Sequence, residues 1–146
     1  MAKRSRAREV ALQLLYQHDH VPTAEAEQIR AFLHRRLRDS ELEQFAGGLY
    51  DGVLAHRPEI DQRLAAVAEN WSVERMAVVD RNILRLSAFE LLFQPQTPPR
   101  VAIDEAVEMA KRYGTAESAA FVNGILDRLA AGRLASEPVP PPGAGS

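Results

Sequence analysis

Basic residues cluster at the start of the chain, where their side chains could bind phosphate groups. Four of the first eight residues are basic and none is acidic: Lys3, Arg4, Arg6 and Arg8. Arginine suits this chemistry because its planar guanidinium can donate hydrogen bonds to two phosphate oxygens at once. Residues 1–8 therefore form a candidate polyanion-binding arm. The alternative is a solvated terminus that binds nothing.

Three aromatic residues could supply stacking surfaces for unpaired bases, namely Tyr16, Tyr113 and Phe121. Bases of single-stranded nucleic acids stack on such rings with little dependence on sequence. Aromatic residues at helical spacing more often belong to a core, however, and Phe121 fits either role. Both interpretations stay open at this point.

The sequence lacks the residue sets that catalysis or metal binding would need. It contains no cysteine, which excludes a disulfide scaffold, a thiol nucleophile and cysteine-ligated metals. Its four histidines form no H-E-x-x-H frame. The one glycine pair, Gly47-Gly48, lacks a phosphate-loop frame and predicts close helix packing instead. We expect a protein that is not an enzyme and that carries no metal or cofactor.

Two groups of carboxylates are better explained by structure than by chemistry. Asp104, Glu105 and Glu108 fall near the start of a predicted helix, where the helix dipole favours acids. Glu90 lies in a strongly apolar helix, where a carboxylate needs a partner. We predict a buried salt bridge between Glu90 and an arginine.

Charge is distributed unevenly along the 146 residues. The formal net charge is −2, and without the four cations of the arm the remainder carries −6. A basic tip on an acidic body is typical of a polyanion-binding arm. No uninterrupted apolar run approaches the roughly 18 residues that a membrane span needs. We expect a soluble, unprocessed, cytoplasmic protein of one domain that does not contact a membrane.

Apolar residues recur at helical spacing in seven stretches, and no alternating strand pattern competes with them. The sequence predicts Ser5 as the cap of the first helix and Pro22 at the entry to the second. Ser40 begins an S-x-x-E capping box for the third helix. Pro58 suits the first turn of a fourth helix.

Ser72 can cap a fifth predicted helix, which runs to about Phe93 and is apolar almost all round, as expected of a central core helix. Gly114 is a natural end for the sixth helix, and Ser118 can cap the seventh. The sequence therefore predicts an all-α fold with one domain over residues 1–134. The proline-rich residues 135–146 are expected to form a disordered tail.

Several motifs occur in an order that is typical of one family. They are Arg6-Ala7-Arg8-Glu9, Trp71-Ser72-x-x-Arg75, Asp80-Arg81-x-Ile83-Leu84-Arg85, Ala110-Lys111-Arg112-Tyr113-Gly114 and Ser118-x-x-Phe121-Val122-Asn123-Gly124. From residue 6 to about 130, the sequence resembles the NusB family of bacterial transcription antitermination factors. Residues 20–57 contribute little to the resemblance.

The resemblance implies a NusB-like fold of two small helical bundles that share a core. It also implies a function. NusB-like proteins pair with NusE, a small-subunit ribosomal protein, and the pair binds the boxA element of nascent ribosomal RNA as a single strand. With other Nus factors, this complex helps RNA polymerase to read through terminators in ribosomal RNA operons.

The resemblance further implies the residues of two binding sites. The RNA-binding residues are Lys3, Arg4, Arg6, Arg8, Tyr16, Glu117 and Phe121, and the NusE-binding residues are Glu74, Asp80 and Arg81. Glu117 stands where the family has an aspartate, and its side chain is one methylene longer. Gly124 would allow another backbone to approach closely, and Asn123 could bond a neighbouring loop or RNA.

Two other functions are compatible with parts of the sequence. A helical module that binds only proteins, as a homodimer or a scaffold, would leave the basic arm without a role; a homodimer of the free protein also stays open. An RNA methyltransferase is the third hypothesis, because NusB-like domains resemble the N-terminal domain of some such enzymes. The chain is too short to add a cofactor-binding α/β domain.

Overall fold

The computed structural model describes residues 3–22, 24–69 and 71–136, with side chains up to residue 132. The elements in chain order are α1 (Lys3–His20), α2 (Ala26–Leu37), α3 (Ser40–Val67), a 3-10 turn (Val73–Arg75), α4 (Val78–Phe93), α5 (Pro99–Tyr113) and α6 (Ser118–Ser136). The all-α prediction is confirmed, and these residues form six α-helices rather than about seven.

The predicted third and fourth helices are one continuous helix, α3, of 28 residues. The expected helix start at Pro58 is therefore wrong, because Pro58 lies inside α3. Proline inside a helix removes one backbone hydrogen bond and costs about 3 kcal/mol. Val53 and Ile60 are buried on either side of the exposed Pro58 and hold both halves of α3 on the core. Tertiary packing outweighs the local preference.

The predicted fifth helix is interrupted near its start. Ser72 precedes only the short 3-10 turn, and α4 begins at Val78. Met76 and Ala77 between them have extended backbone angles, with ψ of 149° and 141°. The side chain of Met76 is buried, so the extended stretch places an apolar residue in the core before the chain becomes helical again.

The cap of α3 lies one residue earlier than the sequence predicts. Asp39 is the N-cap, and its side chain accepts a hydrogen bond from the backbone N–H of Leu42 at 3.1 Å. The Glu43 side chain reaches back to the backbone N–H of Asp39 at 3.0 Å. Ser40 is exposed and is the first residue of the helix. Aspartate replaces serine in this role because both accept hydrogen bonds from free N–H groups.

Two other predicted caps have different roles. Ser5 lies inside α1, which begins at Lys3. Ser118 is the first residue of α6, and its Oγ accepts a hydrogen bond from the preceding Thr115 N–H at 2.9 Å. Gly114 ends α5 as predicted. A Cβ at Gly114 would lie 2.4 Å from the Ser118 Oγ, so glycine is needed there for close approach.

Helices α1–α3 and α4–α6 form two bundles around one shared core. Helix α4 is its centre, because ten consecutive residues from Asn82 to Leu91 are buried. A Cβ at Gly52 in α3 would lie only 2.1 Å from the Phe89 ring. The expected close packing at Gly47-Gly48 holds only for Gly47, since a Cβ at Gly48 would meet nothing within 4 Å.

The C-terminal helix extends further than the sequence predicts. Helix α6 reaches Ser136, whereas the tail was expected to begin at residue 135. The rest of the predicted tail, residues 137–146, lies outside the described residues. Among the helices that are described, none is long and apolar enough to span a membrane.

Candidate nucleic-acid interface

The first two turns of α1 present three cations to solvent. Lys3, Arg4 and Arg6 are all exposed. The Arg4 guanidinium lies 4.7 Å from the centre of the Phe45 ring, and Arg6 Nη2 donates to the carbonyl oxygen of Arg36 at 3.4 Å. These contacts hold the cations near the surface of α2 and α3. They leave most of each guanidinium available for phosphate oxygens.

Arg8 has a different environment, although it belongs to the same basic cluster. It is 3% exposed and donates two hydrogen bonds to Glu90, from Nε to Oε1 at 2.7 Å and from Nη2 to Oε2 at 2.9 Å. The predicted salt bridge of Glu90 with an arginine is confirmed. We therefore remove Arg8 from the expected phosphate contacts, because its guanidinium is buried and bound to a carboxylate.

The charge of Arg8 is maintained by its neighbours. Burial lowers the pKa of Arg8, but the hydrogen bond and charge of Glu90, together with the charge of Glu105, raise it above its ordinary value. Arg8 Nη1 lies 3.7 Å from Glu105 Oε1, which also accepts a hydrogen bond from Ser5 Oγ at 2.6 Å. One arginine thus links α1 to both α4 and α5.

A second ion pair continues this link along α1. Arg112 of α5 donates to the Glu9 carboxylate, and the charge of Glu9 raises the pKa of Arg112 above its ordinary value. Because Glu9 follows Arg8 directly, the two pairs fix one turn of α1 against α4 and α5. The exposed cations lie on the preceding turns. Their position is thus set by a layer of paired charges that runs from the core to the surface, which we call the ion-pair layer (Arg8, Glu9, Glu90, Glu105 and Arg112).

The three carboxylates of α5 do not converge on a site. Asp104 lies 3.5 Å from Arg100, and Glu108 lies 3.5 Å from Lys111, whereas Glu105 faces Ser5 and Arg8. None of them is in the first turn of the helix, so ion pairing rather than the helix dipole explains them. Within the part of the chain that the structure describes, no three His, Asp or Glu residues could hold a metal ion.

Tyr16 and Tyr113 are exposed and line one shallow groove of about 340 Å³. The groove lies where the C-terminal half of α1 meets the start of α4 and the end of α5. Tyr16 is twelve residues after Arg4, which corresponds to about 18 Å along a helix. The expected RNA contacts therefore form two groups at different levels of α1.

Phe121 and Glu117 lie at the start of α6. Phe121 is half-buried, and its ring meets the Trp71 ring edge-on, with centres 5.6 Å apart. The Glu117 carboxylate is exposed and accepts a hydrogen bond from Thr115 Oγ1 at 3.2 Å. Phe121 therefore packs against the core and Trp71 while part of the residue is exposed, and its stacking role stays a prediction.

The residues expected to bind a protein partner occupy the 3-10 turn and the first turn of α4. Glu74 is exposed, and Arg81 Nη2 lies 3.6 Å from the Asp19 carboxylate. Three buried atoms lack a hydrogen-bond partner among the described residues: Gln13 Oε1, Asp80 Oδ1 and Arg81 Nε. Unsatisfied buried polar atoms are uncommon in folded proteins. Two of these atoms, Asp80 Oδ1 and Arg81 Nε, belong to the first turn of α4, and Gln13 belongs to α1.

The sequence model of the NusB family matches residues 5–131. The chain belongs to the NusB family. Its relatives include the transcription antitermination protein NusB of Trichlorobacter lovleyi, 45% identical over 90% of this chain and 92% of the relative. The NusB of Myxococcus xanthus is also 45% identical, over 89% of this chain and 96% of its own.

Solved NusB structures share the fold. T. maritima NusB superimposes with a TM-score of 0.78 at 40% identity, covering 88% of this chain and 90% of that one. A second structure contains NusB and NusE in complex with double-stranded RNA. It gives a TM-score of 0.80 at 27% identity, covering 90% of this chain and 98% of the matched chain.

Two features of this NusB-family chain differ from the sequence expectations. A Cβ at Gly124 would meet only Arg128 Nη1, at 3.7 Å, so no backbone approaches closely there. Asn123 Nδ2 donates to Asp127 on its own helix at 3.3 Å. The sequence analysis also missed Trp71, which is exposed beside Phe121. Its occurrence in a family motif was the available signal.

Proposed function

We propose that this NusB-family chain is a transcription antitermination factor that acts in the cytoplasm. It binds boxA RNA of nascent ribosomal RNA as a heterodimer with the ribosomal protein NusE. Together with other Nus factors, the pair supports read-through by RNA polymerase in ribosomal RNA operons. The observation that carries the proposal is the set of three exposed cations on α1, in a chain whose family includes a NusB and NusE complex with RNA.

In this proposal, the cations of α1 and the residues Tyr16, Phe121 and Glu117 have different roles. Lys3, Arg4 and Arg6 neutralise phosphates and supply a salt-dependent part of the affinity. Tyr16, Phe121 and the Glu117 carboxylate contact bases, because aromatic faces stack and carboxylates accept hydrogen bonds from base amino groups. A bound RNA strand passes from the cations at the start of α1 to the residues that contact bases.

NusE occupies the surface around Glu74, Asp80 and Arg81. The chain without its arm is acidic, with a formal charge of −6, and suits a basic ribosomal protein. Glu74 is exposed on the 3-10 turn and is the most accessible of the three to basic groups of NusE. Three cations give modest RNA affinity alone, so the partner adds contacts and sequence selectivity.

The direct test is a binding experiment with the NusE of the same organism. The chain, NusE and a mixture of both are titrated against a boxA-containing RNA and a scrambled RNA of the same length, at two salt concentrations. We expect the mixture to prefer boxA and to bind more weakly at high salt. Equal binding of the two RNAs by the mixture contradicts the proposal, and no binding of either RNA favours a module that binds only proteins.

A further inference from the structure

The only tryptophan of the chain, Trp71, is more than half exposed, with 53% of its surface in contact with solvent. Exposed apolar side chains that form an ordered patch indicate a binding site, whereas single scattered ones are common. The Trp71 backbone N–H donates to the Ala68 carbonyl oxygen at 2.9 Å, and Ala68 is buried at the end of α3. The indole therefore projects from a fixed point of the core.

Phe121 supports the indole from one side. The two ring planes make an angle of 73° with centres 5.6 Å apart, which is a favourable edge-to-face arrangement. Phe121 N donates to the Glu117 carbonyl oxygen at 3.1 Å, so the ring belongs to the first turns of α6. The edge-to-face contact orients Trp71 and leaves much of the indole surface in solvent.

An opening lies beside this aromatic pair. Gly124 follows Phe121 by three residues on α6 and so lies on the same helix face. A Cβ at Gly124 would have no neighbour closer than Arg128 Nη1 at 3.7 Å. Arg128 Nε donates to the Val67 carbonyl oxygen at 2.9 Å, which fixes the guanidinium at the end of α3 near Trp71. Among the described residues, none forms a hydrogen bond or ion pair with the terminal nitrogens of Arg128.

We propose that Trp71, Phe121, Gly124 and Arg128 form a binding site for one unpaired nucleotide of RNA. The base stacks on the exposed indole, the missing side chain at Gly124 leaves room for it, and Arg128 donates to its phosphate. This inference rests on the proposed function, because it extends the RNA path beyond Glu117. An aromatic face beside a fixed guanidinium favours a nucleotide over a protein segment, since it matches a base and a phosphate together.

The single tryptophan provides a direct measurement. Fluorescence of Trp71 is followed while boxA RNA is added to the complex with NusE, in which any tryptophan of NusE has been replaced by phenylalanine. We expect RNA to quench the signal, because a stacked base contacts the indole. Inorganic polyphosphate should bind the arm and leave the fluorescence unchanged. Quenching by polyphosphate as strong as by RNA would contradict base stacking.

Variants separate stacking from other effects. Trp71→Ala should weaken RNA binding about tenfold, because it removes a stacked base contact. The salt dependence of binding should not change, since stacking on an indole releases no counterion. Trp71→Phe should keep most of the affinity, since it retains an aromatic face. Val101→Ala removes part of another exposed apolar side chain, on α5, and should have no effect on RNA binding. Thermal unfolding checks that each variant is folded.

The outcomes distinguish this site from the proposed function. If the intact complex fails to prefer boxA, both proposals are contradicted. If it prefers boxA but Trp71→Ala binds equally well, only the nucleotide site is contradicted. If Trp71→Ala weakens the binding of NusE in the absence of RNA, Trp71 contacts protein instead, and the nucleotide site is again contradicted.

Discussion

Two adjacent parts of α1 contain similar residues in opposite environments. The first carries Lys3, Arg4 and Arg6 at the surface, and in the described structure no acid lies within salt-bridge distance of them. The second carries Arg8, which is buried and bound to Glu90 through two hydrogen bonds. Sequence composition treats the four cations as one cluster. Position along the helix divides them into a surface for ligands and an anchor for the helix, since Arg4 lies on the face of Arg8 but one turn nearer the start of α1.

The difference follows from the distance to the end of α1: Arg4 is exposed in the first turn, whereas Arg8 lies where α1 packs on the core. Arg8 is spaced by three, four and seven residues from Ala11, Leu12 and Leu15, which are all buried. Such spacing places residues on one face of a helix. A charge on this face needs a partner, because an unpaired buried charge is strongly destabilising. The comparison teaches that net charge in a segment measures neither exposure nor availability to a ligand.

The largest effect is expected at the buried position. Arg8→Ala should lower the free energy of unfolding by about 3–5 kcal/mol, because it leaves the Glu90 carboxylate buried without its partner. Urea unfolding at neutral pH measures the loss. A loss of less than about 1 kcal/mol in the free energy of unfolding would show that Arg8 does not anchor α1. The two parts of α1 would then not differ in role.

A double replacement sharpens the same contrast. Arg8→Met combined with Glu90→Leu should recover most of the stability lost in Arg8→Ala, since replacing both members of a buried pair by apolar residues is often neutral or stabilising. Urea unfolding of both variants side by side gives the recovery. Failure of the double variant to exceed Arg8→Ala in stability would mean that the charges themselves are needed in the ion-pair layer.

A smaller effect is expected at the edge of the ion-pair layer. Ser5→Ala removes a 2.6 Å hydrogen bond to Glu105 and should lower the free energy of unfolding by about 1 kcal/mol. Ser40→Ala is the matched control, because Ser40 is exposed and Asp39 caps its helix. We expect the control to change stability by less than about 0.5 kcal/mol. Equal losses in the two variants would contradict the role of Ser5.

The sequence predicts the helical class and several helix ends because local signals decide them. Gly114 ends α5 as expected. The predictions at Pro58 and Met76 are wrong because packing decides there. Buried residues on both sides of Pro58 keep α3 continuous, and Met76 is buried in an extended stretch of backbone. Local preferences of a few kcal/mol are overcome where many core contacts act together.

The candidate site was predictable only in part. The Glu90 salt bridge follows from one carboxylate in an apolar helix, although its partner is 82 residues away in sequence. Charge clustering groups Arg8 with the exposed cations, because the sequence does not show that its guanidinium is buried against Glu90. Trp71 stands in a family motif, but its exposure could not be predicted from the sequence, since it depends on how α3 ends and on the contact with α6.

The most direct test of this division of roles is the salt dependence of RNA binding by the complex with NusE. The slope of log affinity against log salt should fall by about 2 when Lys3, Arg4 and Arg6 are replaced by alanine, because each phosphate contact contributes about 0.7. The exposed α2 cations give the control Arg30→Ala with Arg35→Ala, which should leave the slope unchanged. Arg8→Met with Glu90→Leu should also keep it. If that double variant loses as much slope as the triple alanine variant, Arg8 contacts phosphate and the account is contradicted.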